Sequence, residues 1–127
     1  SIAIERELPY PREKVWRALT QPELLAEWLM KNDFAPVVDR RFHFTADWGS
    51  VECRVLAVDP ITTLSYTWGG YGLESVVTFT LAPTPTGTAM RMEHTGFRAD
   101  QQQFYQGAKQ GWPRFVAALE DVLARTD

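Results

Sequence analysis

With 127 residues, 45% of them apolar and 23% charged, the chain has material for one domain with a hydrophobic core of its own. A formal net charge of −3, with no Lys/Arg run and no basic stripe interleaved with aromatics, argues against nucleic-acid binding and against a basic membrane-surface helix. A single cysteine, Cys53, rules out an intrachain disulfide and a Cys-rich metal site, and no apolar run approaches the ~20 residues that span a bilayer.

The first element alternates in period two. Ile2, Ile4 and Leu8 fall on one side and Ala3, Glu5 and Glu7 on the other, which predicts a strand rather than a signal peptide. Pro9 and Pro11 end it. Pro11 suits the first turn of a following helix, where Glu13 complements the dipole and Val15, Trp16 and Leu19 form the apolar face. Thr20 and Glu23 have capping-box spacing, with Pro22 between them, so a second short helix is expected to carry Leu24, Leu25, Trp28 and Leu29. Lys31 to Pro36 reads as a loop.

The middle of the chain reads as strands separated by turn signals. Phe42, Phe44, Ala46 and Trp48 alternate with His43, Thr45 and Asp47, and Gly49-Ser50 is the expected turn. Cys53, Val55 and Ala57 form the next inward set, and Asp59-Pro60 breaks that strand. Leu64, Tyr66 and Trp68 follow, then a hairpin end at Gly69-Gly70-Tyr71-Gly72. Ser75, Val77, Phe79 and Leu81 come next, with Pro83 to Gly87 as a turn, and then Met90, Met92 and His94. Strands of this kind, joined by short turns, should pair as an antiparallel meander with one buried face.

The last segment changes period. At ~100° per residue, Phe104, Ala108, Gly111, Trp112, Phe115, Val116, Leu119, Val122 and Leu123 lie within an arc of roughly 140°. That predicts one long amphipathic helix from Phe104 to Leu123. Pro113, on its far side, should leave it concave toward the sheet. No repeat or linker interrupts the chain, so residues 1–127 are expected to form a single domain.

This order is strand, two short helices, a meander and a long C-terminal helix. It resembles the START-like, helix-grip or SRPBCC superfamily. More specifically, the chain is similar to the family related to activators of the heat-shock protein 90 ATPase. The resemblance is carried by Pro11-Arg12-Glu13-Lys14-Val15-Trp16-Arg17-Ala18-Leu19-Thr20, Pro22-Glu23, Trp28-Leu29, Leu64-Ser65-Tyr66-Thr67-Trp68 and Val77-Thr78-Phe79-Thr80-Leu81. Gly87-Thr88, His94-Thr95-Gly96-Phe97 and Gly111-Trp112 complete it. It implies an α+β fold in which a curved antiparallel sheet wraps a long C-terminal helix. It also implies a pocket for lipids, polyketides, hormones or other apolar molecules, and in a few members cyclase or aromatase activity. One place departs from the family pattern: Asp39-Arg40-Arg41 stands where a glycine-rich turn is usual, so the nearby pocket rim is expected to differ.

Within that frame the expected cavity wall is Trp28, Phe44, Tyr66, Trp68, Phe79, Met90, Met92, His94, Trp112 and Phe115. Aromatics and methionines can line a deformable pocket or simply fill a core. Trp112 is expected to project toward Phe79 and Met92. His94, in the inward register, has three readings: a hydrogen-bonded structural group, a ligand contact, or a general acid/base. Tyr66 needs a hydroxyl partner, either His94 or a ligand. His43 is expected to face outward. No metal site, cofactor, paired carboxylates or nucleophile elbow is evident, and Gly69-Gly70-Tyr71-Gly72 lacks the Lys-Ser/Thr of a phosphate loop.

The leading functional expectation is non-catalytic binding of a small hydrophobic or aromatic molecule. The alternatives are a cyclase/aromatase-type enzyme using His94 and Tyr66, and a protein-interaction module acting on a chaperone. A cytoplasmic setting, no nucleic-acid partner, no membrane span, and a monomer or homodimer complete the expectations.

Overall fold

The computed structural model describes all residues, Ser1–Asp127. Seven strands form one antiparallel sheet in the order β1-β7-β6-β5-β4-β3-β2, so only the first strand is out of sequence order, pairing with the last. The elements are β1 (Ile2–Leu8), α1 (Arg12–Thr20), α2 (Pro22–Trp28), β2 (Lys31–Asn32), β3 (Arg41–Ala46), β4 (Gly49–Asp59), β5 (Thr63–Gly70), β6 (Leu73–Thr84), β7 (Gly87–Thr95) and α3 (Gln102–Arg125). The sheet curls, and the helices cover its inner face. This is the helix-grip α+β architecture.

The inward residues of the strands and the apolar stripe of α3 form one buried cluster. Val116, Leu119, Val122 and Leu123 of α3 share it with Phe42, Phe44, Tyr66, Phe79, Met90 and Met92 of the sheet. Val15, Ala18 and Leu19 of α1 and Leu25 and Trp28 of α2 close one side. The Trp28 indole N–H donates to the Ala18 carbonyl at 2.8 Å, which fixes the two short helices to each other. Pro113 lies inside α3 on its exposed side, so the missing N–H falls away from the core.

Several boundaries differ from the sequence expectation. Pro11 is the N-cap of α1, with extended backbone, rather than a first-turn residue. Thr20 does not cap α2. Its hydroxyl donates to the Trp16 carbonyl at 2.7 Å, and Gln21 takes the cap position without a side-chain bond. The loop after α2 contains the two-residue β2, too short to leave a periodic signal, and buries Phe34 against Phe42.

The β3–β4 turn is Asp47-Trp48, not Gly49-Ser50, so Trp48 leaves the strand face and stands 65% exposed. A bulge between Val55 and Ala57 shifts the alternation of β4. Beyond it Val58 pairs with Leu64 on the core face, and Ala57 pairs with Ser65 instead of pointing inward. Pro83 belongs to β6, where the strand has outrun β5 and needs no donor on that side.

At the departure from the family pattern, Asp39 adopts φ 71°, the left-handed conformation a glycine would supply, and its carboxylate meets Arg54 at 2.9 Å.

Two glycines in hairpins are held for different reasons. The Tyr71-Gly72 turn has positive φ at both residues, but a Cβ on Gly72 would meet open space. At Gly87 a Cβ would overlap the Leu8 carbonyl oxygen and lie 2.7 Å from the Tyr10 nitrogen, where the β1–α1 connection crosses. Gly87→Ala should therefore cost about 2–3 kcal/mol, and Gly72→Ala only about 1 kcal/mol, in urea unfolding. Equal losses would show that the Leu8 connection yields easily.

Candidate functional site

At one end of the sheet the helix stands off from the strands and leaves a cleft of about 340 Å³. Its sheet side is Trp68 of β5, Leu73 of β6 and His94 of β7, with Phe97 just beyond β7. Its helix side is Gln103, Phe104, Gly107, Ala108, Gly111, Trp112 and Phe115 of α3. Met30 and the turn residue Trp48 complete the rim. Nine of these thirteen residues are hydrophobic, and none carries a formal charge at neutral pH.

The inner wall is built on a hydrogen-bonded chain. The Trp112 indole N–H donates to His94 Nδ1 at 2.9 Å. His94 Nε2 lies 2.8 Å from Ser75 Oγ, and that hydroxyl donates to the Trp68 carbonyl at 2.6 Å. Indole is a donor only, so Nδ1 must accept and Nε2 must carry the proton. The indole then only donates, His94 and Ser75 each accept once and donate once, and the Trp68 carbonyl only accepts, so the chain runs one way from helix to sheet. His94 is thus fixed as the neutral Nε2–H tautomer. Protonation would set an Nδ1–H against the indole N–H.

The same tautomer decides the chemistry of the Ser75–His94 pair. A serine nucleophile needs a histidine nitrogen free to take its proton. Here that nitrogen already holds one and donates it. The pair is an architectural tie that sets the rings of Trp68 and Trp112 at a centroid distance of 5.3 Å. Phe97 packs on the His94 ring at 4.5 Å and Phe115 on Trp112 at 5.6 Å.

Of the ten residues expected to line the cavity, the structure brings four to the cleft: Trp68, His94, Trp112 and Phe115. Trp28, Phe44, Tyr66, Phe79, Met90 and Met92 are instead packed in the closed core. Trp112 contacts Phe79 across a ring distance of 6.1 Å as expected, and so belongs to both regions. Tyr66 pairs neither with His94 nor with the cleft. Its hydroxyl is buried without a protein partner, and burial pushes its pKa well above the usual value. His43 is on the exposed surface, 3.8 Å from Asp33. Cys53 is buried, and its thiol pKa is raised by that burial. No cluster of three His, Cys, Asp or Glu side chains forms.

Sequence reasoning missed Met30, Trp48, Leu73, Phe97, Gln103, Phe104, Gly107, Ala108 and Gly111 as wall residues. A signal existed for some of them. Phe104, Ala108 and Gly111 extend the helix stripe beyond what the core uses, and Phe97 closes the His94-Thr95-Gly96-Phe97 motif. Nothing in the sequence places Met30 or Trp48 at the rim.

A curled antiparallel sheet gripping a C-terminal helix, with a cleft between them, defines a START-like, SRPBCC-type protein. The family model described as activator of Hsp90 ATPase homolog 1-like protein matches residues 9–124, and the chain belongs to that family. A solved structure from Mesorhizobium loti is 58% identical, covers 99% of this chain and 98% of its own, and superposes with a TM-score of 0.95. One from Bacillus halodurans is 29% identical over 96% of this chain and 95% of its own, with a TM-score of 0.84. One from Nitrosomonas europaea shares the fold at 21% identity over 98% of this chain and 94% of its own, with a TM-score of 0.83. No curated protein matches the chain.

Burial lowers the pKa of His94 from 6.5 to about 4, and the positive N-terminus adds to the shift. Ile2 pairs with His94, which is what brings that terminus close. The unfolded chain therefore binds a proton below about pH 6.5 that the folded chain refuses until about pH 4. Stability from this group is complete above pH 6.5 and is lost as pH falls toward 4, by roughly 3 kcal/mol in all. The stability difference between the parent and His94→Gln, from urea unfolding, should shrink by that amount from pH 7 to pH 4. A constant difference would show that His94 does not couple protonation to folding.

Proposed function

We propose that this protein binds a small hydrophobic or aromatic molecule in the cleft between the end of the sheet and the first half of α3, without chemically altering it. The observation that carries this reading is the cleft itself: about 340 Å³ of apolar, ring-lined space beside the packed core, whereas the larger surface depressions around Arg91 and around Gly70 are lined mostly by polar residues and glycine. Ligand sites are concave, mostly apolar and furnished with few polar groups, and the volume lies at the small end of their range. Apolar side chains left facing a cleft forgo burial, so a ligand that covers them recovers about 25 cal/mol per Å² of apolar surface.

The cyclase or aromatase alternative would draw on His94 and Tyr66. Both nitrogens of His94 are engaged, and Tyr66 lies outside the cleft. The family description names a chaperone activator, and a chaperone remains a partner to test by pull-down rather than one this site favours. No helix is long and apolar enough to cross a membrane. A cytoplasmic setting, in which the lone buried Cys53 would stay a thiol, and action as one domain belong to the same reading.

Two positions separate wall from core. Phe104 is half-buried on the cleft, while Phe44 is fully buried in the core and absent from the wall. Phe104→Ala should lower affinity for an apolar fluorophore about tenfold, through lost contact area, while costing less than about 1 kcal/mol of stability. Phe44→Ala should cost about 3–5 kcal/mol and leave the affinity of the folded fraction unchanged. Titration by Trp fluorescence with parallel urea unfolding reads both. If the parent binds no apolar probe, the cleft is not a ligand site.

A further inference from the structure

Gly107 and Gly111 sit one turn apart in the first half of α3, inside the helix, where glycine weakens it relative to alanine. Glycines are kept in such places for a left-handed backbone or for a close approach by a neighbour. Neither cause applies here. Both have ordinary helical backbone, outside the set of positive-φ glycines. A Cβ on Gly107 would meet nothing within 4 Å, and one on Gly111 would touch only the Phe115 ring at an ordinary 3.6 Å. What both face is the cleft.

Building on the ligand-binding reading of that cleft, we propose that Gly107 and Gly111 are specificity-determining positions, kept small to admit an uncharged, planar aromatic ligand. The ligand lies along the bare helix flank, against the partly exposed rings of Trp68 and Phe115, with the buried Trp112 ring behind them. Trp68 and Phe115 are tilted at 51° and 72° to Trp112, which suits stacked and edge contacts with a flat ring system.

Neutrality follows from the wall. No Asp, Glu, Lys or Arg lines the cleft, and His94 spends both nitrogens on Trp112 and Ser75. A buried formal charge would have no partner there. Gln103, exposed at the edge, is the only side-chain amide on the wall, and it can receive one neutral polar substituent at the mouth. The ligand class is therefore a neutral polycyclic or extended aromatic with at most one polar end.

The test uses two dyes that share an anilinonaphthalene frame: neutral N-phenyl-1-naphthylamine and its anionic relative 8-anilino-1-naphthalenesulfonate. Each is titrated into the parent, Gly107→Ala, Gly111→Ala and Gly111→Leu, and each protein is melted without dye. The parent should bind the neutral dye at least tenfold more tightly than the sulfonate. The alanine variants should melt about 2–5 °C higher, because their helix is stronger. Their affinity for the neutral dye should nevertheless fall about threefold, and that of Gly111→Leu tenfold or more.

Stability and affinity moving in opposite directions is the signature of volume reserved for a ligand. Higher melting with unchanged affinity would overturn the glycine assignment while leaving ligand binding intact. Lower melting of the alanine variants would show that the glycines serve the fold. Equal affinity for the two dyes would overturn neutrality. A parent that binds neither dye would remove the ligand-binding reading itself, and this inference with it.

Discussion

The indole N–H of Trp112 reaching His94 Nδ1 is the contact on which the arrangement turns. It joins the middle of the long helix to the strand beside β1, at the point where packing gives way to open space. On one side of it Val116, Leu119, Val122 and Leu123 are sealed against the sheet. On the other, Phe104, Gly107, Ala108 and Gly111 face the cleft. A bond between two fully buried partners is a fixed reference, because losing it would strand an unpaired nitrogen away from water. The chain continues through Ser75 to the Trp68 backbone, so one line of donors and acceptors sets the inner wall across β5, β6, β7 and α3.

That contact needs a frame that brings β7 beneath the helix. The meander alone would leave β7 as an edge strand. Pairing of β1 with β7 covers that edge and carries the N-terminus alongside His94. Toward the other side of the sheet, β4, between β5 and β3, carries a bulge that strengthens local twist. The turns Asp47-Trp48 and Tyr71-Gly72 meet at the cleft end, where the Tyr71 hydroxyl approaches the Ser50 nitrogen and the Gln103 turn of α3 begins. Gln101, just before the helix, donates to the Gly72 carbonyl at 3.0 Å and anchors the helix start to that hairpin.

A fold shared this widely does not name a ligand, and function must be argued from the site. Here the site is unusual in what its polar groups are doing. The one imidazole on the wall is consumed by architecture, and its tautomer opposes the proton transfer that a Ser–His pair would need. The remaining wall is rings, aliphatic side chains and bare helix backbone, with the single amide of Gln103 at its edge. Such a surface recognises shape and apolar area far better than it promotes bond-making, which is why binding rather than turnover is the reading the chemistry favours.

The sequence by itself determined most of the architecture. Period-two alternation placed β1 and β3 to β7, and the change to a helical period placed α3, because strand and helix geometry impose those repeats on any chain that buries one face. It also determined the inward register of Tyr66, Trp68, Phe79, Met90, Met92, His94 and Trp112. It did not separate wall from core among them, since an apolar residue facing a packed neighbour and one facing a cleft obey the same pattern. Three things were decided only by tertiary structure. The bulge after Val55 reversed Ala57 and Val58, because a single extra residue shifts every later side chain by one face. The two-residue turn expelled Trp48 from its strand and put it on the rim. The partners of His94 came from β6 and α3, 19 and 18 residues away, so its neutral tautomer existed only once those elements had packed.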